Sequence, residues 1–145
     1  MRSLILGAAL VALAPAAAFA KVPVESEAVA NPAADKLVGD FFEALKAGKS
    51  SDAVHQVFAN SPLMAGREAD LQNLTAQFDN AIRIYGPILS FEKISDVSLG
   101  TGYDKRYYLV RQGKMLTRWE FEFGSLKDGW AIVYVGMDDQ VRTWG

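Results

Sequence analysis

At Gly86-Pro87 the periodicity of apolar residues changes, and that change decides which class of fold is open to this chain. Before it, apolar side chains recur at three- and four-residue steps; after it they alternate, and no helical stripe returns. Helices first and strands afterwards predict an α+β domain, because an amphipathic helix and a one-sided sheet bury their apolar faces against each other.

Three helices are expected. Asn31-Pro32 supplies a capping side chain followed by the residue best suited to the first helical position. Leu37, Val38, Phe41, Phe42 and Leu45 then form a helical stripe that stops at Gly48. Ser51-Asp52 opens a shorter helix with Val54, Val57 and Phe58 on its apolar face, ended by Pro62. From about Glu68, Leu71, Leu74, Phe78, Ala81, Ile82 and Tyr85 mark a third helix, closed by Gly86-Pro87. Two heptads of this stripe are too few for a coiled-coil seam, so it reads as a core helix.

Four strands follow. Ile88 to Leu99 reads as one long strand with Phe91, Val97 and Leu99 as packing positions. Arg106 to Arg111 is the second, and Gln112-Gly113 turns the chain into a third from Met115 to Phe123. In that third strand Met115, Thr117, Trp119, Phe121 and Phe123 share the core face, while Leu116, Arg118, Glu120 and Glu122 share the other. Lys127-Asp128-Gly129 leads into a fourth, Trp130 to Met137, apolar on both parities. A strand apolar on both faces requires cover on both, from curling neighbours or from a second subunit.

The beginning of the chain reads as an address. Met1-Arg2-Ser3 is a short basic start, Leu4 to Leu13 an apolar run, and Ala14 to Ala20 a small-residue region with alanines at 18 and 20. This is the order of a secretory signal, so residues 1–20 are expected to be removed before Lys21 and the mature protein to be periplasmic or secreted. The run is shorter than the roughly 20 apolar residues of a membrane span and contains Pro15, so no membrane insertion is expected after cleavage. Residues 21–30 read as a flexible leader and 31–145 as a single domain. The domain has no cysteine, so its stability rests on packing, for which about 125 residues suffice. Without Arg2, fourteen basic face seventeen acidic residues, a net −3, which does not suit a nucleic-acid partner.

This order of elements resembles the nuclear transport factor 2-like superfamily, a cystatin-like cone of three helices packed on a curved antiparallel sheet of about four strands. The resemblance is carried by Phe41-Phe42-Glu43-Ala44-Leu45-Lys46-Ala47-Gly48, by Ile84-Tyr85-Gly86-Pro87-Ile88 and by Asp128-Gly129-Trp130-Ala131-Ile132, and it covers Asn31 to about Asp138. It departs from many members in lacking an early strand pair between the second and third helices, where Leu63 to Arg67 is too short. The resemblance implies a closed-end pocket between helices and sheet, here to be lined by His55, Phe78, Tyr85, Tyr108, Trp119 and Phe121. It also implies a homodimer across the outer sheet face, here Leu116, Arg118, Glu120, Trp130, Ile132 and Tyr134. No single activity is implied, since the fold hosts enzymes, binding modules and accessory domains alike.

The search for chemistry is brief. His55 is the only histidine and lies beside the Val54, Val57, Phe58 stripe, where a partly buried ring bonded to backbone is the simpler reading. One histidine and no cysteine support neither a metal centre nor a cofactor. Members of the superfamily that shift protons need carboxylates inside the cone, and the core face of the third strand has none. Asp40, Asp79 and Glu92, with Tyr85, Tyr107 or Tyr108 as donors, are the remaining candidates, although Asp79 and Arg83 sit four apart as an ordinary helix pair. Arg118, Glu120 and Glu122 read as a charge ladder facing Arg106 or Arg111, or else as an arginine anchor for a ligand carboxylate. Asp138-Asp139 reads as hydrated loop, Asn73-Leu74-Thr75 as a chance glycosylation match, and Trp144 as folding back onto the sheet edge. The preferred expectation is a noncatalytic domain binding a small apolar or amphipathic molecule or a partner protein. The alternative is a small-substrate isomerase, dehydratase or hydrolase using a carboxylate or His55.

Overall fold

The computed structural model describes residues 31–144; the expected signal segment and the leader at 21–30 lie outside the described residues. Helix α1 spans Pro32–Lys46, and the Asn31 side chain accepts a hydrogen bond from the Ala34 amide at 3.1 Å, so the Asn-Pro pair caps the helix as expected. Its buried stripe, Ala34, Val38, Phe41, Phe42 and Leu45, follows the three-to-four spacing that puts side chains on one helical face. Helix α2 spans Ser50–Val57 and is followed by a single 3-10 turn at Pro62–Met64. Helix α3 spans Glu68–Tyr85 and buries Leu71, Leu74, Phe78 and Ala81.

The end of α3 needs glycine for two reasons. Gly86 has φ +91°, which L side chains rarely adopt, and a β-carbon there would lie 3.0 Å from the Gly113 backbone. The close approach is used. Lys114 N donates to Tyr85 O at 2.8 Å and Gly113 N to Pro87 O at 3.0 Å, which fastens a hairpin loop to the end of the helix.

Four antiparallel strands form an open sheet in sequence order: β1 (Ile88–Leu99), β2 (Tyr103–Gln112), β3 (Leu116–Leu126) and β4 (Gly129–Asp138). Strand β2 starts earlier than its apolar alternation suggests, because pairing with β1 rather than side-chain pattern holds Tyr103 to Lys105. Met115, expected at the core-facing start of β3, instead lies in the loop and is exposed, its carbonyl accepting from Gln112 N at 2.9 Å. Among the described residues, three α-helices and this sheet make an α+β domain.

Phe41 and Phe42 of α1 lie at its centre, each meeting Trp119 and Phe121 of β3 edge-on at 5.4 to 5.9 Å. Phe78 of α3 stacks on Trp119 at 5.3 Å, and Phe91 of β1 stacks on Phe42 at 4.7 Å. The polar tips in this core are satisfied in a relay. Trp119 Nε1 donates to Thr117 Oγ1 (3.0 Å), Thr117 Oγ1 to Gln112 Oε1 (2.7 Å), and Gln112 Nε2 to Gly86 O (2.9 Å).

Irregularities in the sheet decide which residues face the helices. Between Lys93 and Ser95 the register shifts, with Ile94 as the extra residue, so side chains beyond it swap faces. Val97 and Leu99, expected as packing positions, therefore pair with Lys105 and Tyr103 on the outer face, while Asp96 and Ser98 turn inward. A second shift in β4 makes Val133 the extra residue and splits another set: Ile132 pairs with Phe123 and is fully buried, and Tyr134 pairs with Glu122 outside. Ile132, expected on a dimer face, belongs to the core because of this bulge. The two-sided apolar character of β4 has the same origin.

Candidate functional site

The side chains expected to line a pocket divide into two groups. Phe78, Tyr108, Trp119 and Phe121 come together, but as members of the ring cluster, in contact with one another or with Phe41 and Phe42. His55 and Tyr85 stand apart from it. His55 is exposed, its Nδ1 donating to Ser51 O at 2.7 Å and its Nε2 meeting Glu68 Oε1 at 2.9 Å. Both neighbours are acceptors, so the ring serves both only as imidazolium, and the Ser51 carbonyl and then Glu68 hold its pKa above the usual histidine value. Tyr85 donates to Asp139 at 2.8 Å; burial, then that carboxylate, pushes its hydroxyl up to about 12.

The carboxylates considered as acid-base candidates are all elsewhere. Asp40 pairs with Lys36 on the exposed side of α1, Glu92 is exposed on β1, and Asp79 turns from Arg83 to accept from Ser50 Oγ at the start of α2. Arg83 bonds Asn80 instead. Asp138 is taken by Arg118 (2.9 Å) and by the Trp144 indole, which folds back against the sheet.

The buried charge lies on β2, at Asp104 and Arg106. Arg106, expected on the outer ladder, pairs with Phe121 on β3 and faces the helices, with no exposed surface. Its Nε donates to Asp104 Oδ2 at 2.8 Å, with Nη2 also 2.8 Å from that oxygen; its Nη1 donates to Asp35 of α1, and its Nη2 to Asn31 O at 3.2 Å. Asp96 Oδ2 stands 3.6 Å from Nη2 and accepts from Lys93 Nζ at 3.0 Å. Lys93 also reaches Asp35 at 3.1 Å, and the guanidinium lies over the Phe123 ring at 5.8 Å. Asp104 and Arg106 are two apart on one strand, a spacing that puts both on one face; that was the legible signal. Asp96 had none, because its inward turn depends on the extra residue at Ile94.

The outer face of the sheet carries the other candidate surface. Here Glu120 pairs with Tyr107 and Gly136, Glu122 with Lys105 and Tyr134, and Arg118 with Leu109 and Asp138. All of these except Gly136 are half-buried. Tyr134 lies over Gly136, where an added β-carbon would sit 2.4 Å from the Tyr134 hydroxyl. Burial and then the neighbouring Glu122 carboxyl raise Glu120 above the usual range, against Lys105 at 3.7 Å. Burial and then Glu122 also raise Tyr103. Arg118 lies over the rings of Tyr107 (5.0 Å) and Trp144 (5.5 Å). Leu116 and Arg118 are on this face, whereas Trp130, expected here too, pairs with Ser125 and so shares the parity of Phe123 and Ile132 on the other side of the sheet, exposed at the start of β4.

Among the described residues no group of three or more His, Cys, Asp or Glu side chains is arranged to hold a metal, and no helix is long and apolar enough to cross a membrane. Compared with protein-family models, with curated proteins and with solved structures, the chain matches none.

Proposed function

We propose that this chain is an exported, noncatalytic protein-interaction domain of the nuclear transport factor 2-like fold, and that it binds a second copy of itself through the uncovered face of its sheet. The observation that carries the reading is a contrast between the two faces. Towards the helices, Phe41, Phe42, Phe78, Trp119 and Phe121 occupy the space in mutual ring contact, and a small apolar ligand there would have to displace them. Away from the helices, the half-buried Leu109 is joined by Tyr103, Tyr107 and Tyr134, apolar bodies with polar tips of the kind enriched at protein interfaces.

A second copy suits this face by charge. Strand β3 presents Arg118, Glu120 and Glu122 in order, so a two-fold axis through Glu120 brings Arg118 of each copy to Glu122 of the other, two opposite-charge contacts against the one Glu120 contact on the axis. The basic, apolar and small-residue order of residues 1–20 supports export to the periplasm or beyond.

An acid-base enzyme is the second reading, and Asp104 is the observation in its favour, a buried carboxyl bonded to Arg106. Its weakness is access. Asp104 is 2 % exposed, and Arg106 already donates to Asp104, Asp35 and the Asn31 carbonyl.

Sedimentation velocity over a concentration series tests the proposal. The secreted protein is expected to sediment as a dimer, and Leu109→Glu as a monomer with an unchanged far-ultraviolet spectrum. A monomer at every concentration, or a dimer that survives Leu109→Glu, contradicts it.

A further inference from the structure

Around Arg106 the charges do not balance. The titratable and charged groups facing one another are Asp35 from α1, Lys93 and Asp96 from β1, and Asp104, Arg106 and the Tyr108 hydroxyl from β2, while β3 contributes the Phe123 ring. Two cations against three carboxylates leave 2 minus 3, a net −1, in a place where Arg106 and Asp104 have almost no water. The hydrogen bonds do not balance either. The Oδ2 atoms of Asp96 and Asp104 have cationic partners, but Oδ1 of each is buried with no partner among the described residues. The two carboxyls lie on the inner face of adjacent strands and converge on one nitrogen, Arg106 Nη2, Asp104 Oδ2 at 2.8 Å and Asp96 Oδ2 at 3.6 Å.

We infer that Asp96 and Asp104 hold one proton between them, and that this shared proton fastens the first turn of α1 to the sheet as a pH-sensitive latch. One proton resolves both imbalances: an O–H on one carboxyl donates to the other, and the cluster becomes neutral. The attachment to α1 runs through the same groups, since Arg106 binds Asp35 and the Asn31 carbonyl, and Lys93 binds Asp35. When the proton leaves, two carboxylates face each other and compete for Arg106 and Lys93, and the hold on Asp35 and Asn31 weakens.

The titration properties agree in direction. Burial, then the bond with Asp96, pushes Asp104 up to about 6 against the pull of Arg106. Burial also acts to raise Asp96, but its bonds from Asp104 and Lys93 and the charge of Arg106 outweigh that and leave it below the usual value. A raised Asp104 contributes stability that is complete below the ordinary aspartate pKa and is lost as pH rises through about 6. A lowered Asp96 contributes stability that is lost as pH falls through its own value. The latch is therefore closed from below the ordinary aspartate range up to about pH 6.

Carbon-13 NMR of the aspartate carboxyls, with amide hydrogen exchange, tests this on the intact domain. One carboxyl step near pH 6, felt by both Asp96 and Asp104, is expected, with Asp96 otherwise ionised to well below the usual aspartate range. Exchange at the Ala34 and Asp35 amides, corrected for intrinsic pH dependence, is expected to accelerate through the same midpoint. Asp104→Asn, which keeps a donor towards Asp96 and an acceptor for Arg106, is expected to remove the step and hold exchange at its low-pH level throughout. Independent titration of both carboxyls at ordinary aspartate values, or exchange indifferent to the step, overturns the inference. Should Asp104→Asn fail to fold, the wild-type titration decides alone.

Discussion

Arg106 shows how one side chain reorganises the interior. A guanidinium without solvent is stable only if it is paired and hydrogen-bonded, and here Asp104, Asp35 and the Asn31 carbonyl accept from it. Arg106→Leu strands the buried carboxylates and is expected to cost about 3 to 5 kcal/mol in urea unfolding. A loss below about 1 kcal/mol would mean that the acids find water or one another instead. Phe41→Ala removes the ring that touches Phe42, Phe78, Trp119 and Phe121, and about 3 to 5 kcal/mol is expected by the same measurement. The sequence made Phe41 legible through its helical spacing, and Trp119 and Phe121 through alternation. It concealed Arg106 because charges occupy both parities of β2, Lys105 and Arg106 being adjacent, so nothing in the pattern says which one faces in.

Elements were legible wherever a backbone requirement leaves a residue signature. Asn31-Pro32 caps α1, Gly86-Pro87 separates α3 from β1, and the bounds of β1 follow directly from Pro87 and Gly100. Gly86→Ala, forced to positive φ and into the Gly113 backbone, is expected to cost about 1 to 3 kcal/mol in urea unfolding and to loosen the hairpin loop; a neutral variant would show that this loop is not held there. Bulges leave no such signature. Ile94 is an apolar residue in an apolar and polar alternation, and only the pairing with Tyr107 and Tyr108 reveals it as extra. Deleting Ile94 would remove the extra residue and leave Lys93 opposite Tyr108, Ser95 opposite Tyr107 and Asp96 opposite Arg106, so Asp96 would still face in and Val97 out. That variant is expected to keep the pH-dependent step in its melting curve, because the same side chains meet Arg106. A deletion variant without the step would show that the ionic cluster needs the bulged backbone itself and not only the inward parity of Asp96.

Across the described residues, the helix-facing side is closed by rings and by the Arg106 cluster, whereas no helix of theirs packs on the opposite side of the sheet. Stability should follow the cluster: the melting temperature is expected to be higher near about pH 5 than near about pH 8, because the raised Asp104 releases its proton between them. A flat profile would detach global stability from the Asp96 and Asp104 pair. Function should follow the open face. An NMR dilution series of the backbone amides tests that most directly. Concentration-dependent shifts are expected at Tyr103, Lys105, Tyr107, Leu109, Arg118, Glu120 and Glu122, with those of the helices unchanged. Spectra indifferent to dilution, or changes confined to α1, α2 and α3, would contradict the assignment of the sheet face as the binding surface.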